Sequence, residues 1–284
     1  MKLGRISSDG WLGFAVSADG QGWLPFPSIG VDPVDTATAI AVCRLWQSWS
    51  APLPPSALVR ADALHCPITA NQRIVGVGAN FAAHAAEVSM QTTSVPHLFE
   101  RSPHTLAASG HDLLVTADAD QHCDYEVELA VVIDCRLPDP TSGAATPVFG
   151  YAVANDLTLR ALQRLDPTVV RAKSALRSCP VGPYITTADE IEDIGGLEMV
   201  TSVNGEVRQR ALLRSMVHSV ADLVAGIEQA ARLQAGDVIL TGSPAGTAAG
   251  RSPSIFLRDA DVVECSIERL GTINNTVRLR ERAA

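Results

Sequence analysis

Two glutamates, Glu126 and Glu128, lie one residue apart in an otherwise mostly apolar run over residues 124–134. In a β-strand successive side chains alternate between faces, so these carboxylates share one face while Val127 and Leu129 point to the other. Burying like charges together costs several kcal/mol unless a positive group lies between or opposite them, and a hard cation such as Mg²⁺ or Mn²⁺ meets that need. The alternative is a strand with one solvated face, which needs no ligand and which the pair taken alone favours.

A third oxygen ligand is available where the next apolar segment ends. Residues 149–155 read as a strand, and Asp156 follows it directly. At that end of the strand the Asp156 carboxylate could meet Glu126 and Glu128, and three carboxylates together suit one divalent cation. Taken by itself, an aspartate after a strand is slightly more typical of a cap for the segment that follows.

A candidate general base lies upstream, in an alanine-rich helical segment that follows the glycine-punctuated run 75–78. His84 and Glu87 are three residues apart and therefore neighbours on one helix face. A carboxylate so placed orients an imidazole and raises its basicity, which is what deprotonation of a water molecule requires. The same spacing is usual in ordinary surface contacts, so its weight depends on the acidic residues around it.

Six motifs occur in one order along the chain, at residues 76–87, 124–133, 150–163, 172–180, 203–209 and 236–246. They read G-x-G-x-N-F-x-x-H-x-x-E, D-Y-E-V-E-L-A-V-V-I, G-Y-x-V-A-N-D followed by R-x-x-Q, A-K-S-x-x-x-x-C-P, V-N-G-E-x-R-Q and G-D-V-I-L-T-G-S-P-A-G. In type, spacing and order they resemble the fumarylacetoacetate hydrolase family, in its acylpyruvate hydrolase and 2-hydroxyhepta-2,4-diene-1,7-dioate isomerase branch. One such motif alone is weak evidence, whereas six in order are specific.

The resemblance implies a mixed α/β, β-rich fold, a β-sandwich roll around a metal site, usually assembled as a homodimer. Short strands at 2–6, 11–16 and 22–25, joined by Asp-Gly turns, predict a hairpin, and apolar spacing predicts helices over 37–49 and 220–233. A proline-rich break follows the first helix. We therefore expect a small N-terminal α/β domain over 1–68 and the catalytic domain over 69–284.

The resemblance also implies roles for individual side chains. Glu126, Glu128 and Asp156 would hold Mg²⁺ or Mn²⁺, and the helix with His84 and Glu87 would close over the site. Lys173 would reach the anionic oxygens of the substrate, although most lysines are simply exposed. The candidate substrate-binding residues are Arg101, Gln163, Thr241, Gly242 and Ser243.

Some of these positions depart from the pattern or have another explanation. Arg101 stands where many members carry lysine and Ser243 where they carry threonine, which keeps a cation and a hydroxyl. Leu176 replaces a common aspartate and leaves the subfamily open. Arg160 and Gln163 are better suited to bracing the metal strand or subunit contacts than to touching substrate. Residues 241–244 are also suited to forming a tight turn.

The reaction expected from these residues is hydrolysis of a carbon–carbon bond in a 2,4-dioxo acid of the acylpyruvate or fumarylpyruvate type, through a metal-bound enolate. His84 and Glu87 would activate the water. Decarboxylation and isomerisation or tautomerisation of 2-oxo or 2-hydroxy-dienoic acids share the enolate and stay open, because fold and metal do not decide the reaction. An alternative of another class is a catalytically silent metal-binding homologue.

Composition limits the remaining function classes. The 284 residues carry a formal net charge of -9, which argues against a nucleic-acid or anionic-membrane surface. The sequence has no apolar run long enough to span a membrane and no secretory leader pattern, and its six cysteines lack paired spacing. We expect a cytoplasmic enzyme that acts on a small 2-oxo acid.

Overall fold

The computed structural model describes residues 1–48, 52–116, 122–136, 145–166 and 168–280. Within them the strands are β1 (Lys2–Ser8), β2 (Trp11–Ser17), β3 (Gly22–Pro25), β4 (Val59–Arg60), β5 (Ala63–His65), β6 (Ile74–Gly78), β7 (His97–Arg101), β8 (Leu106–Ala107), β9 (Leu113–Thr116), β10 (Cys123–Asp124), β11 (Val127–Ile133), β12 (Val148–Asn155), β13 (Thr158–Leu159), β14 (Cys179–Thr187), β15 (Glu198–Val203), β16 (Glu206–Leu212), β17 (Val238–Leu240), β18 (Val262–Ile267) and β19 (Gly271–Arg280). The helices are α1 (Thr36–Ser48), α2 (Ala82–Glu87), α3 (Arg160–Leu165) and α4 (Val220–Ala231). The prediction of a mixed, strand-rich fold is confirmed.

Most of these strands belong to one large mixed sheet. Its hydrogen-bonded order is β4-β3-β2-β1-β14-β12-β11-β17-β6-β7, with β5 on β1 and β8 on β14. A second sheet has the order β16-β15-β18-β19-β9. The two sheets pack face to face through contacts of β12 and β14 with β19 and of β11 with β15, which gives the layered architecture that the sequence predicted.

Strand β11 is buried on both faces, and each face belongs to a different core. Val127, Leu129, Val131 and Ile133 pack in the core shared with the second sheet and α4. On the other face Ala130 and Val132 pack with α1 and the N-terminal strands, and the positions before them on this face are the two glutamates. The solvated-face alternative is wrong, because Glu126 is 5% and Glu128 2% exposed.

The N-terminal strands extend the same large sheet. The predicted hairpin is confirmed, since β1 and β2 pair in antiparallel register from Lys2 opposite Ser17 to Ser8 opposite Trp11. β1 also pairs with β14, with Lys2 opposite Thr186. The domain boundary near residue 68 stays a prediction, and the sheet runs continuously across it.

Both predicted helices are present with shifted ends. α1 covers Thr36–Ser48, and residue 49 of the predicted span lies outside the described residues. α4 begins after a capping box in which Ser219 and Asp222 satisfy each other's backbone N–H groups, and it ends at Ala231, two residues before the predicted end. None of the helices in the described part of the chain has the length and apolar character of a membrane span.

Candidate active site

Three buried carboxylates converge where β11 begins and β12 ends. Glu126, Glu128 and Asp156 each offer an oxygen, and these atoms all lie within 4.8 Å of one another. Antiparallel pairing produces this convergence, since Val127 lies opposite Asn155 and the backbone N–H of Asp156 donates to Glu126 O at 2.8 Å. The three residues predicted as ligands therefore meet at one point.

The backbone around the carboxylates is held by side chains and by a glycine turn. The backbone N–H of Glu126 donates to Asn155 Oδ1 at 3.0 Å. The backbone N–H of Gly242 donates to Glu128 Oε2 at 2.7 Å. Gly242 has φ +92, and a Cβ there would lie 2.9 Å from Asn80 Cβ, so a side chain at this position would disturb the turn that donates to Glu128.

Cationic side chains surround two of the three carboxylates. Arg160 NH2 lies 2.5 Å from Glu126 Oε1, and its Nε donates to Asp124 Oδ2 at 2.8 Å. Lys173 Nζ donates to Glu126 Oε2 at 2.7 Å and also contacts the Asp156 carboxylate. Lys173 is 4% exposed, so it is not an ordinary surface lysine.

The pKa values of the two glutamates move in opposite directions. Burial and the neighbouring Asp156 charge raise the pKa of Glu128 well above its usual range. Burial would also raise the pKa of Glu126, but Arg160 and Lys173 outweigh it and hold that pKa low. Burial would lower the pKa of Lys173, but the Asp156 and Glu126 carboxylates keep it raised. Glu126 is thus stabilised as an anion, whereas Glu128 lacks a cationic partner among the described residues.

The donor set fits a hard divalent cation. Four buried carboxylates, with Asp124 as the fourth, face three buried cations from Arg101, Arg160 and Lys173. One negative charge is therefore left over, and Glu128 is the carboxylate that no described ion pair neutralises. All three converging donors are carboxylate oxygens, the ligand type that Mg²⁺ and Mn²⁺ prefer. The identity of the metal stays a prediction.

The predicted dyad lies beside this cluster. His84 is 7% exposed; its Nε2 lies 3.6 Å from Glu126 Oε1 and its Nδ1 3.5 Å from Glu87 Oε2. Glu87 has a second contact, because the backbone N–H of Gly246 donates to both of its carboxylate oxygens at 2.9 and 3.0 Å. Glu87 therefore anchors α2 to the 246–250 loop and at the same time faces the imidazole of His84. The sequence did not predict this contact with Gly246.

A cavity of about 630 Å³ opens above the carboxylates. The predicted residues on its wall are Glu126, Glu128, Asp156, His84, Lys173, Gln163 and Ser243. The rest of the wall is partly apolar, with Met90, Leu98 and Phe99 on it, and partly basic, with Arg164 and His97. A small organic acid can reach the acidic cluster and His84 together from this cavity.

Other predicted residues lie behind the wall. Arg101 is 2% exposed; it contacts the Asp156 carboxylate and donates from NH2 to Ser178 O at 2.8 Å and from Nε to Thr105 Oγ1 at 3.1 Å. The N–H groups of Arg101 are therefore already bonded within the protein. Arg101 is suited to hold the Asp156 carboxylate in position. Thr241 and Gly242 also lie outside the cavity wall.

Three polar residues with direct contacts to the site were not singled out from sequence. Asp124 binds Arg160, and Asn80 donates from Nδ2 to Thr241 O at 2.8 Å. Gln209 donates from Nε2 to Ser243 Oγ at 2.8 Å and accepts from the backbone N–H of Val127. Each of the three lies within one of the six motifs, so the motifs did mark these positions as candidates. Their contacts could not be predicted, because the residues they bind are distant in sequence.

Residues 73–278 match the family model described as fumarylacetoacetate (FAA) hydrolase C-terminal. The chain belongs to the fumarylacetoacetate hydrolase family. The resemblance drawn from the six motifs is confirmed, and the family fold is confirmed with it.

Relatives in the family carry out several reactions. Oxaloacetate tautomerase YisK of Bacillus subtilis is 34% identical over 220 residues, which are 75% of this chain and 72% of that protein. The structure of the fumarylacetoacetate hydrolase EaFAH from Exiguobacterium antarcticum is similar at a TM-score of 0.82 and 30% identity, over 99% of this chain and all of that one. Maleylpyruvate hydrolase from Sphingobium sp. SYK-6 is similar at a TM-score of 0.78 and 26% identity, over the same shares. The named relatives are enzymes of both the hydrolase and the tautomerase kind.

Proposed function

We propose that this chain is a divalent-metal-dependent enzyme that interconverts the keto and enol forms of a small 2-oxo acid, with oxaloacetate as the first candidate. The observation that carries the proposal is the position of His84, whose Nε2 lies 3.6 Å from Glu126 Oε1 on the wall of the cavity that reaches the three carboxylates. A base beside a cation site is what removal of a proton from the carbon next to a 2-oxo group requires. The similarity to oxaloacetate tautomerase YisK supports this reaction.

In this proposal each group of residues at the site has a separate role. Glu126, Glu128 and Asp156 would hold the cation, which when bound would act as a Lewis acid and stabilise negative charge on the oxygens of the substrate. His84 takes the proton from the carbon next to the 2-oxo group, and protonation of the 2-oxo oxygen then gives the enol. In the reverse direction the enol O–H loses its proton and His84 returns a proton to the carbon. Glu87 holds the imidazole in place, and the Lys173 ammonium offsets the charge of Glu126 and Asp156. Apolar side chains, among them Phe99, line part of the cavity.

A second candidate is hydrolysis of a carbon–carbon bond in a 2,4-dioxo acid, the reaction that the sequence predicted. It is favoured by the likeness to EaFAH and maleylpyruvate hydrolase over 99% of this chain. This reaction uses the same base but adds the attack of a water molecule on the distal carbonyl. Hydrolysis therefore demands more of His84 than proton transfer at carbon does.

One set of assays separates these reactions. Protein treated with EDTA is assayed with and without Mg²⁺ or Mn²⁺ for keto–enol conversion and decarboxylation of oxaloacetate and for cleavage of acetylpyruvate and fumarylpyruvate. We expect metal-dependent tautomerisation that exceeds the other activities. Predominant cleavage of the 2,4-dioxo acids would establish the second candidate instead, and tight metal binding without turnover of any of these acids would support a silent homologue.

The variant His84→Ala tests the base directly. We expect turnover to fall roughly a hundredfold or more, a typical contribution of general acid–base catalysis. His104→Ala is the matched control, since His104 is exposed and does not line the cavity. Full activity of His84→Ala would remove the imidazole from the mechanism. The homodimer and the cytoplasmic location belong to the proposal as expectations from the family resemblance and the composition.

A further inference from the structure

The helix α3 presents three polar side chains to the cavity. Arg160, Gln163 and Arg164 have the i, i+3, i+4 spacing that puts side chains on one helix face, and all three line the cavity. Arg160 donates from NH1 to Gln163 Oε1 at 2.9 Å, in addition to its ion pairs with Asp124 and Glu126. Arg160 is therefore occupied by ion pairs and a hydrogen bond within the protein. Arg164 forms no ion pair with a described residue.

Arg164 is the cation on the cavity wall that has no carboxylate partner within the described ranges. Lys173 is paired with Glu126 and Asp156, and Arg160 with Asp124 and Glu126. The contact of Arg164 is to an imidazole instead, between its NH2 and His122 Nδ1 at 3.0 Å. An arginine on a cavity wall that no described carboxylate neutralises is suited to bind an anionic group of a ligand.

His122 holds the guanidinium in a defined position. Because arginine has only donors, Nδ1 of His122 must be the acceptor, which defines the tautomer of a neutral ring. The ring stacks on Phe256, with 4.4 Å between centroids and 4° between planes. One edge of the guanidinium is thus anchored by a stacked ring, which leaves its other N–H groups for the cavity.

We propose that Arg164 binds the second carboxylate of a 2-oxo dicarboxylic acid whose 2-oxo acid end lies at the carboxylate cluster. The inference deepens the proposed function and rests on it, because it assigns substrate choice to the same cavity. The wall near Leu98 and Phe99 is apolar, so a substrate with an uncharged end gains contacts there but no ion pair. Arg164 therefore favours a dicarboxylate over a monocarboxylate of the same chain length.

Two stable ligands of equal chain length test the selectivity. 2-Oxoglutarate and 2-oxopentanoate differ only in the distal carboxylate, and neither has the 4-oxo group that carbon–carbon cleavage needs. Each is titrated calorimetrically into the full-length chain with saturating Mg²⁺, for wild type, Arg164→Gln, Arg164→Lys and the control Arg177→Gln. Arg177 is an exposed arginine that does not line the cavity, so its replacement makes the same change in net charge.

We expect wild type and Arg177→Gln to bind 2-oxoglutarate about tenfold more tightly than 2-oxopentanoate, the size of one partly exposed charged hydrogen bond. Arg164→Gln should lose that preference while its affinity for 2-oxopentanoate stays within twofold, and Arg164→Lys should keep part of it. Equal affinity of wild type for the two ligands, or an unchanged preference in Arg164→Gln, would overturn the inference.

Kinetics keep this inference apart from the proposed function. With oxaloacetate, Arg164→Gln should raise KM about tenfold and leave kcat within twofold. An enzyme that tautomerises oxaloacetate with an unchanged KM in Arg164→Gln would refute the role of Arg164 and leave the proposed function standing. Binding of neither ligand together with no turnover of any 2-oxo acid would refute both.

Discussion

The side chain of Asn155 accepts a hydrogen bond from the backbone N–H of Glu126, with 3.0 Å between Oδ1 and N. This contact joins the end of β12 to the start of β11, and both residues are buried. It holds the first carboxylate of the cluster beside the third, because Asp156 is the next residue in the chain. The position of Glu126 therefore depends on a neutral amide that binds no ligand itself.

We expect Asn155→Ala to weaken metal binding and to lower stability. The change leaves a buried N–H without its acceptor, which costs about 1–3 kcal/mol of unfolding free energy, and loss of a residue that orients a ligand lowers metal affinity roughly tenfold or more. Urea unfolding and Mn²⁺ titration measure the two effects. Asn274→Ala is the control, since Asn274 is exposed on β19. Unchanged Mn²⁺ affinity in Asn155→Ala would show that the contact does not position Glu126.

Two substitutions of Glu87 separate its anchoring contact from its charge. In Glu87→Gln the side-chain oxygen still accepts from the backbone N–H of Gly246, but the negative charge beside His84 is lost. We expect kcat to fall roughly ten- to a hundredfold, while the unfolding free energy changes by less than about 0.5 kcal/mol. Glu87→Ala loses the anchor as well and should also cost about 1–3 kcal/mol in urea unfolding. Wild-type kcat in Glu87→Gln would assign Glu87 to docking α2 alone.

We expect Glu128→Gln to stabilise the metal-free protein. Burial and the Asp156 charge oppose ionisation of Glu128, and a glutamine oxygen can still accept from Gly242. The unfolding free energy after EDTA treatment should rise by roughly 1–3 kcal/mol. Metal should then stabilise wild type by about 2.7 kcal/mol at a hundred times Kd and the variant much less.

Thermal unfolding of Glu128→Gln with and without Mg²⁺ or Mn²⁺ measures both effects. Glu264→Gln is the control, because Glu264 is exposed on β18. If Glu128→Gln were less stable than wild type without metal and equally stabilised with it, Glu128 would be no ligand.

A buried ion pair between α1 and the end of β11 predicts a pH dependence of stability. Arg44 NH2 lies 2.6 Å from Asp134 Oδ2, and Asp134 is fully buried. Burial alone would raise the pKa of Asp134, but hydrogen bonds from Arg136 and Arg44 lower it below the ordinary value of 3.8. The contribution to stability is therefore present above pH 3.8 and is lost as the pH falls below it through the lowered pKa.

Asp134→Asn should reduce the unfolding free energy by about 1–3 kcal/mol near neutral pH. The difference from wild type should shrink as the pH falls below the ordinary aspartate value, which urea unfolding over a pH series measures. Asp32→Asn is the control, since Asp32 is exposed. A difference that stays constant down to acid pH would mean that the pair contributes through packing and not through charge.

The sequence by itself determined the family, the carboxylate cluster and the dyad. Strand alternation puts Glu126 and Glu128 on one face, and helical spacing puts His84 beside Glu87, so both pairings follow from local geometry. Asp156 was predicted as well, because it directly follows an apolar segment and because the family resemblance implied that it is the third ligand. These predictions needed only contacts between near neighbours or adjacent strands.

Only the tertiary structure decided which charges meet. Lys173 and Arg160 pair with Glu126, Arg101 lies behind Asp156 instead of on the cavity wall, and Gly242 reaches Glu128 across 114 residues of sequence. It also decided that the glutamate face is buried, because a second sheet and α1 cover β11 from both sides. The physical reason is that periodicity reports which side of an element a residue occupies, whereas its partners across the fold depend on sheet register and layer packing, to which distant segments contribute.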